Sequence, residues 1–201
     1  MASSLRRVIP KRVISRPVIA CSPSERRVMA PSRKYDVFIN HRGVDTKRTV
    51  AGLLYDRLVQ MGLRPFLDNR TMEPGDNMCQ SISGAIHDCK VGIAIFSPRY
   101  CDSDFCLQEL SMLVEARKKL IPIFCDVKPS ELLLLEDLVH SHANHYPLAS
   151  PEEMERFKRA LREAKYTVGL TFDSQNGNFS DLVSKVSRIV EKSMKEVTRN
   201  Y

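Results

Sequence analysis

Short apolar segments alternate with amphipathic segments from residue 35 onwards, and this alternation limits the possible folds more than any other feature of the sequence. Segments with helical spacing of apolar residues separate the short ones. Because strands that alternate with helices form parallel sheets covered on both faces, the sequence predicts an α/β fold. Five segments have the length and the apolar or β-branched content of strands: residues 35–40, 63–67, 91–96, 121–125 and 166–172.

The order of the strands follows from the handedness of their connections. Right-handed crossovers predict a five-stranded, doubly wound parallel sheet, most simply of strand order 2-1-3-4-5. Ligands of such sheets bind beyond the carboxyl ends of the strands, where the strand order reverses. We therefore expect a functional site among the loops that follow residues 40, 67, 96 and 125.

The positive charge of the chain is concentrated before this alternating region. The formal net charge is +7, yet residues 1–34 hold nine Lys or Arg and a single acid, Glu25. The other residues hold 22 bases and 23 acids and are therefore nearly neutral. A folded protein that reads nucleic acid carries its positive charge on the domain itself, so nucleic acid is not the expected partner.

Residues 1–33 are rich in Arg, Ser and Pro and contain too few apolar residues for a core of their own. This composition predicts a basic, disordered leader. Two interpretations of the leader stay open, because a flexible tail and an organelle transit peptide share this composition. We expect a cytoplasmic protein, or plastid targeting where the leader is a transit peptide.

The six cysteines form no CxxC pair and no Cys/His cluster at zinc spacing. We therefore expect reduced thiols and no metal site. The longest aliphatic run, residues 132–135, is far too short to span a bilayer, and no membrane partner is expected.

The loop after the first strand has a composition that suits an anion. Gly43 permits close approach of the backbone, and Asp45 or Thr46 is expected to cap the helix that follows. Two interpretations are open, a phosphate-binding corner and an ordinary strand–helix turn with surface bases. The bases of this loop are Arg42, Lys47 and Arg48.

Two further segments at the same edge of the sheet carry candidate residues. The loop at residues 68–76 is long and polar, as many lids and contact surfaces are. Glu109 lies near the start of a helix that Asp102, Ser103 or Asp104 caps, and the helix dipole is expected to keep its carboxylate ionised at neutral pH. By spacing alone, a lone Glu on a helix is more often a solvated residue.

Four ordered motifs resemble those of plant Toll/interleukin-1 receptor (TIR) domains. Residues 35–46 read YDVFINHRGVDT, similar to the family's YDVFLSFRGEDT, and residues 103–110 read SDFCLQEL, similar to its Ser-x-Trp-Cys-Leu-x-Glu-Leu. IPIFCDVKPS at 121–130 and AKYTVGL at 164–170 resemble the segments around its fourth and fifth strands. The resemblance covers residues 34–197 and predicts one TIR domain with a flavodoxin-like fold, in a protein of the TIR-only type.

The TIR resemblance implies an NAD⁺ nucleosidase of plant innate immune signalling that releases nicotinamide and ADP-ribose, with cyclic ADP-ribose isomers as further products. NAD⁺ is then the substrate, and no cofactor is expected. The glutamate of the helix motif maps to Glu109 as the catalytic residue. The residues expected around NAD⁺ are Arg42, Gly43, Val44, Asp45, Thr46, Lys47, Arg48, Asp68, Gly75 and Phe105.

The resemblance also implies partners and an alternative function. The partners are further copies of the chain, held by TIR–TIR contacts, and downstream immune regulators reached through small-molecule products. The alternative is a catalytically weak signalling adaptor that acts through TIR–TIR self-association. The chain departs from the family pattern at His41, where Phe is usual, at Phe105, where Trp is usual, and at Gly52-Leu53, where Ser-His supports one TIR–TIR face.

Overall fold

Five strands form one parallel sheet in the computed structural model, which describes residues 35–132 and 150–199. Every neighbouring pair of strands is parallel, and the order is β2-β1-β3-β4-β5. The predicted doubly wound α/β fold and its strand order are confirmed. The leader at residues 1–33 lies outside the described residues. The strands are β1 Val37–His41, β2 Pro65–Phe66, β3 Val91–Phe96, β4 Lys119–Cys125 and β5 Leu170–Phe172.

Helices cover both faces of the sheet. On one face α2 and α7 pack against the aliphatic side chains of β1, β3 and β4. On the other face α4, α5 and α6 pack against a layer rich in aromatic side chains. The helices are α1 Gly43–Thr46, α2 Val50–Gln60, α3 Asp68–Thr71, α4 Met78–Asp88, α5 Asp104–Glu115, α6 Pro151–Tyr166 and α7 Phe179–Arg199, with a 3₁₀ turn at Tyr100–Asp102.

The alternation of side chains along β1 assigns each residue to one of these faces. Val37 and Ile39 pack in the layer beneath α2 and α7, whereas Phe38 packs beside α4. Because side chains of a strand alternate between faces, Asn40 shares the face of Phe38, on the side of α4 and α5. A fully buried Phe or Leu stabilises the fold by about 1.5–3 kcal/mol, so this register is firmly fixed.

The start of the fifth strand differs from the sequence prediction. Tyr166 was expected in this strand, but it is the last residue of α6 and is largely exposed. The Thr167 N–H still donates to the carbonyls of Glu163 and Ala164, which prolongs the helical hydrogen bonding. The strand begins only at Leu170, after Gly169, where a Cβ would stand 2.5 Å from the Pro122 carbonyl.

Among the described residues, none of the helices has both the length and the apolar content that a membrane-spanning segment requires. The fold instead places its polar loops at the carboxyl edge of the sheet. The ends of β1, β2 and β3 lead there into α1, α3 and the 3₁₀ turn before α5. These three connections position the candidate site.

Candidate active site

A cavity of about 640 Å³ opens at the carboxyl ends of β1 and β2. Its volume lies within the range of small-molecule sites. The first loop, the start of α3, α4 and the first two turns of α5 form its walls. Nine residues that the sequence singled out line it: Arg42, Gly43, Val44, Asp45, Lys47, Arg48, Asp68, Phe105 and Glu109.

The structure places the remaining two of the eleven predicted site residues, Thr46 and Gly75, outside this cavity. Thr46 is buried, and its hydroxyl donates to the Arg42 carbonyl at 3.2 Å, so it shapes the first loop from within. Gly75 lies in the exposed second loop with φ +100°. A positive φ of this size favours glycine, which makes Gly75 a residue that sets the path of the loop.

Helix α5 carries Glu109 to the cavity. Among the three possible caps, Ser103 caps this helix by accepting from the Cys106 N–H at 3.4 Å. Leu107 and Leu110 are fully buried, as their spacing predicts. Glu109 lies beside this stripe, is half-buried and lines the cavity, so its carboxylate is not a solvated surface group.

Burial of the Glu109 side chain raises its pKa to about 8. The hydrogen bond from Asn40 lowers this pKa, and the negative charge of Asp68 raises it further. The expectation that the helix dipole keeps Glu109 ionised at neutral pH is therefore wrong for the protein alone. Glu109 is the sixth residue of α5, beyond the first turn where the dipole is strongest, and desolvation dominates.

Two buried residues that the sequence analysis missed, Asn40 and Tyr100, form a chain of hydrogen bonds that ends at the Glu109 carboxylate. Asn40 Nδ2 donates to Glu109 Oε2 at 2.8 Å and to the Cys106 carbonyl at 3.1 Å. The Tyr100 hydroxyl donates to Asn40 Oδ1. An asparagine inside an otherwise apolar strand was the available signal, because a buried amide requires partners for all of its polar groups.

Asp45 braces the first loop and does not cap a helix. Its Oδ2 accepts from Ser97 Oγ at 2.7 Å and from the Arg99 backbone N–H at 3.1 Å, while its Oδ1 accepts from Arg99 Nε at 2.8 Å. The prediction that Asp45 or Thr46 caps the following helix is wrong, because α1 and α2 begin after Arg42 and Thr49 without a side-chain cap. The contact joins the loops after β1 and β3.

Buried nitrogen atoms at the end of β1 lack hydrogen-bond partners. Within the described residues, neither His41 Nε2 nor Arg42 Nε has one. Burial lowers the pKa of His41, partly offset by the charge of Asp68, so its ring is neutral at neutral pH. Both residues line the cavity, where a bound molecule can supply the missing partners.

The cysteine at this site is not a nucleophile. Burial raises the pKa of Cys106 to about 12, so its thiol stays protonated at neutral pH, and its Sγ donates to the His41 carbonyl at 3.3 Å. No group of His, Cys, Asp and Glu side chains within the described ranges could hold a metal ion. The carboxylate of Glu109 is therefore the strongest candidate for covalent or electrostatic chemistry.

A model of the TIR domain family matches residues 34–201. The chain belongs to the TIR family. The described sheet is therefore that of a TIR domain, as the sequence motifs indicate, while the domain boundaries 34–197 and the site residues stay predictions.

This TIR domain has relatives of very different lengths. It is 57% identical over 164 residues to the probable 2' cyclic ADP-D-ribose synthase BdTIR of Brachypodium distachyon, which covers 82% of this chain and 71% of the relative. It is 28% identical over 175 residues to TMV resistance protein N of Nicotiana glutinosa, covering 83% of this chain and 15% of the relative. The resistance protein is thus similar over a small part of its length only.

A solved structure supports the fold of the TIR domain. The TIR domains of the activated Roq1 resistosome superpose with a TM-score of 0.66 at 24% sequence identity, covering 78% of this chain and 99% of the other. At this identity the likeness concerns the arrangement of strands and helices. The flavodoxin-like TIR fold is therefore confirmed by the sheet topology and by this superposition.

A larger hollow of about 1140 Å³ lies at the opposite edge of the TIR domain, by the amino ends of β3, β4 and β5. None of the predicted site residues lines it. Volume alone does not make an active site, whereas convergent polar groups and titratable residues with perturbed pKa values are typical of one. The smaller cavity combines these features, and we assign the candidate site to it.

Proposed function

We propose that this TIR domain is an NAD⁺ nucleosidase of plant innate immune signalling. The observation that carries the proposal is the position of Glu109, whose half-buried carboxylate faces one cavity with the bases of the first loop and the half-exposed Phe105 ring. The expected products are nicotinamide and ADP-ribose, with a cyclic ADP-ribose isomer as a further product.

The chemistry requires only one carboxylate. Cleavage of the bond between nicotinamide and ribose builds positive charge on the ribose, as in glycoside hydrolysis. An ionised Glu109 stabilises this oxocarbenium ion or traps it covalently. Attack of water on the same ribose carbon, with loss of a proton, then gives ADP-ribose, whereas attack by a hydroxyl or base nitrogen of the same molecule gives the cyclic isomer. Nicotinamide leaves as a neutral molecule, so no general acid is needed for its departure.

The substrate itself favours the ionised form of Glu109. The nicotinamide ring of NAD⁺ is positively charged, and a positive charge near a carboxylate lowers its pKa. Binding of NAD⁺ then opposes the desolvation that raises the pKa of Glu109 to about 8 in the protein alone. Glu109 is therefore mostly protonated in the free protein at neutral pH and ionised in the complex with NAD⁺, in which the reaction takes place.

The other cavity residues suit the remaining parts of NAD⁺. Arg42, Lys47 and Arg48 supply positive charge for its two phosphate groups. The Phe105 ring, 45% exposed, offers an aromatic face to one of its bases. The relative from Brachypodium distachyon bears the name of an enzyme that forms a cyclic ADP-ribose, which supports NAD⁺ as the substrate.

We further propose that the protein acts in the cytoplasm as a homo-oligomer. Gly75 lies in an exposed loop outside the cavity of its own chain, and Leu53 is an exposed apolar residue on α2. Both features suit contacts between copies.

A transit function of the leader would direct the same enzyme to plastids. The small products of the reaction would link the enzyme to downstream immune regulators.

Nicotinamide release by the purified full-length chain tests the proposed function. The wild-type protein should release nicotinamide from NAD⁺, and Glu109→Gln should lower the rate by about 10²–10³-fold or more, because Gln lacks the charge that opposes the developing cation. Unchanged circular dichroism of the variant would show that the fold is intact. An inactive wild-type protein would favour the adaptor function, and an active Glu109→Gln would overturn the assignment of the catalytic residue.

A further inference from the structure

Asn40 is a fully buried amide whose polar groups all have partners. One Nδ2 hydrogen reaches Glu109 Oε2 at 2.8 Å, and the other reaches the Cys106 carbonyl at 3.1 Å. Its Oδ1 accepts from the Tyr100 hydroxyl. Within the described residues, Asn40 is the one side chain or backbone group that donates a hydrogen bond to the Glu109 carboxylate.

The surroundings of Asn40 favour one orientation of its amide once Glu109 is ionised. Tyr100 is fully buried, and this burial raises the pKa of its phenol well above the usual value, so the hydroxyl keeps its hydrogen and remains a donor. A flipped amide would place Oδ1 against the Cys106 carbonyl and, when Glu109 is ionised, against Glu109 Oε2. Such contacts between acceptors are unfavourable in a buried site, so Nδ2 is held towards Glu109.

We propose that Asn40 is a positioning residue for the nucleosidase reaction: with Tyr100 behind it, its amide fixes the Glu109 carboxylate against β1 and leaves the ionised form one constant donor. This inference rests on the proposed function. The two hydrogen bonds of Nδ2 reach groups of the same face of α5, because Cys106 and Glu109 lie three residues apart on this helix. Strand and helix are thereby tied at the carboxylate.

Several charged or titratable groups lie around the Glu109 carboxylate. Asp68, at the start of α3, raises its pKa, whereas Asn40 is the only neighbour within the described residues that lowers it through a hydrogen bond. Loss of the Asn40 amide therefore makes the carboxylate harder to ionise. The remaining titratable or charged groups lie on the cavity wall, except Tyr100, which contacts the wall residue Cys106. They are His41, Arg42, Asp45, Lys47, Arg48, Tyr100 and Cys106.

Two substitutions of Asn40 test its role as a donor. Asn40→Ala removes the donor, and Asn40→Asp keeps the shape but replaces the donor with an acceptor. Both should move the rise of kcat/KM to higher pH, and Asn40→Ala should lower kcat/KM at pH 7 roughly tenfold, because hydrogen bonds to charged groups are worth about one pKa unit or more. At a pH well above the rise, the loss should be smaller.

Tyr100→Phe provides a second, milder variant. It removes the hydroxyl that fixes the Asn40 amide and leaves Asn40 and Glu109 unchanged, so a smaller shift of the pH profile in the same direction is expected. Ser111→Ala is the matched control for loss of a buried polar group on α5, because the Ser111 hydroxyl donates to the Leu107 carbonyl, at 2.9 Å, within its own helix. Its pH profile should equal that of the wild type.

A direct titration keeps this inference separate from the proposed function. Carbon-13 NMR of the glutamate carboxyl groups, with Glu109→Gln to assign the signal, follows the ionisation of Glu109 without substrate. A Glu109 titration that moves to higher pH in the Asn40 variants, but not in Ser111→Ala, supports the inference even where nicotinamide release fails. Equal titration and equal pH profiles in wild type and Asn40→Asp overturn it while the nucleosidase stands. Where the Asn40 variants do not fold, an unchanged titration in Tyr100→Phe overturns it.

Discussion

The protonation of one residue, Glu109, should control the pH dependence of the reaction. Its pKa of about 8 belongs to the free protein, and kcat/KM reports ionisations of the free enzyme. We predict that kcat/KM for nicotinamide release rises with pH through about 8, whereas kcat rises at lower pH because bound NAD⁺ favours the carboxylate. Initial rates across pH 5–10 measure both profiles.

His41 serves as the contrast for this prediction. Burial lowers the pKa of His41, so its ring is already neutral where Glu109 begins to ionise. His41→Phe should therefore leave the rise near pH 8 in place, whatever its effect on substrate binding through the unpartnered Nε2. A profile that loses this rise in His41→Phe would assign the titration to the histidine instead.

The same carboxylate should make the protein less stable. The pKa of Glu109 in the folded state lies above its ordinary value of 4.5, so the folded state holds an additional proton between pH 4.5 and about 8, and stability falls as pH rises through this range. We predict that Glu109→Gln raises the Tm at pH 8 and leaves it unchanged at pH 4. The rise should be about 2–4 °C for each kcal/mol by which the substitution removes the cost of burying an ionised carboxylate. Thermal melts at both pH values check this.

Glu115, on the same helix, should show the opposite behaviour. The hydrogen bond from Arg156, together with the charges of Arg156 and Arg159, lowers the pKa of Glu115 despite partial burial. Its contribution to stability is present above its ordinary pKa and is lost as pH falls. Glu115→Gln should thus lower the Tm at pH 8 and leave nicotinamide release intact. Equal melts for the two variants would contradict the burial argument for Glu109.

At the scale of elements, Asp45 holds the first loop against the loop after β3. Burial raises the pKa of Asp45, but hydrogen bonds from Ser97 and Arg99 outweigh this, and the pKa lies below its ordinary value. We predict that Asp45→Asn lowers stability by about 1–2 kcal/mol and raises KM for NAD⁺ several-fold, because the bases of the loop lose their fixed position. Denaturant melts and steady-state kinetics measure the two effects.

The ion pair of Asp36 and Arg64, at the amino ends of β1 and β2, provides the control. Asp36 accepts from the Arg64 backbone N–H and from Arg64 Nε, both at 3.0 Å, just before β1. Asp36→Asn should lower stability by a comparable amount and leave KM unchanged, since Asp36 is remote from the cavity. A rise in KM in both variants would attribute the Asp45 effect to general destabilisation.

The strands show how far local pattern predicts these elements. The sequence predicts β3 at its observed bounds, because six consecutive apolar residues are buried on both faces of a central strand. It overestimates β2, since only Pro65 and Phe66 pair with β1, and pairing at an edge depends on the neighbouring strand. The first motif likewise locates the loop, but not the contact of Asp45 with the loop after β3.

The interior of the candidate site does not follow from the sequence. The motif identifies Glu109, yet its protonation depends on Asn40, 69 residues away, and the orientation of Asn40 depends on Tyr100, 60 residues from it. The number of residues between two positions does not show how far apart their side chains lie in the fold. Desolvation also follows from the packing of α5 against β1, so only the structure shows that it exceeds the effect of the helix dipole.

At the scale of the whole molecule, α2 differs from the family pattern for a local steric reason. A Cβ on Gly52 would stand 2.9 Å from the Lys47 carbonyl, so the first loop lies too close for the usual serine without a shift. The next residue, Leu53, is 44% exposed. The face that carries Ser-His in other members therefore has a buried Gly52 and an exposed Leu53 here, so we expect the proposed contact between copies on this face to use the apolar side chain of Leu53.

The second loop provides the other proposed contact between copies, and Gly75 tests it. If the loop of one copy completes the site of another, specific activity should rise with protein concentration. Gly75→Ala at φ +100° costs about 1 kcal/mol of backbone strain and should redirect the loop, so nicotinamide release at high concentration falls several-fold. Gly62, at φ +77° just after α2, is the matched control, because Gly62→Ala bears comparable strain outside the loop and the cavity. Activity and light scattering measured over the same concentrations decide the matter, and constant specific activity while the mass increases would contradict a shared site.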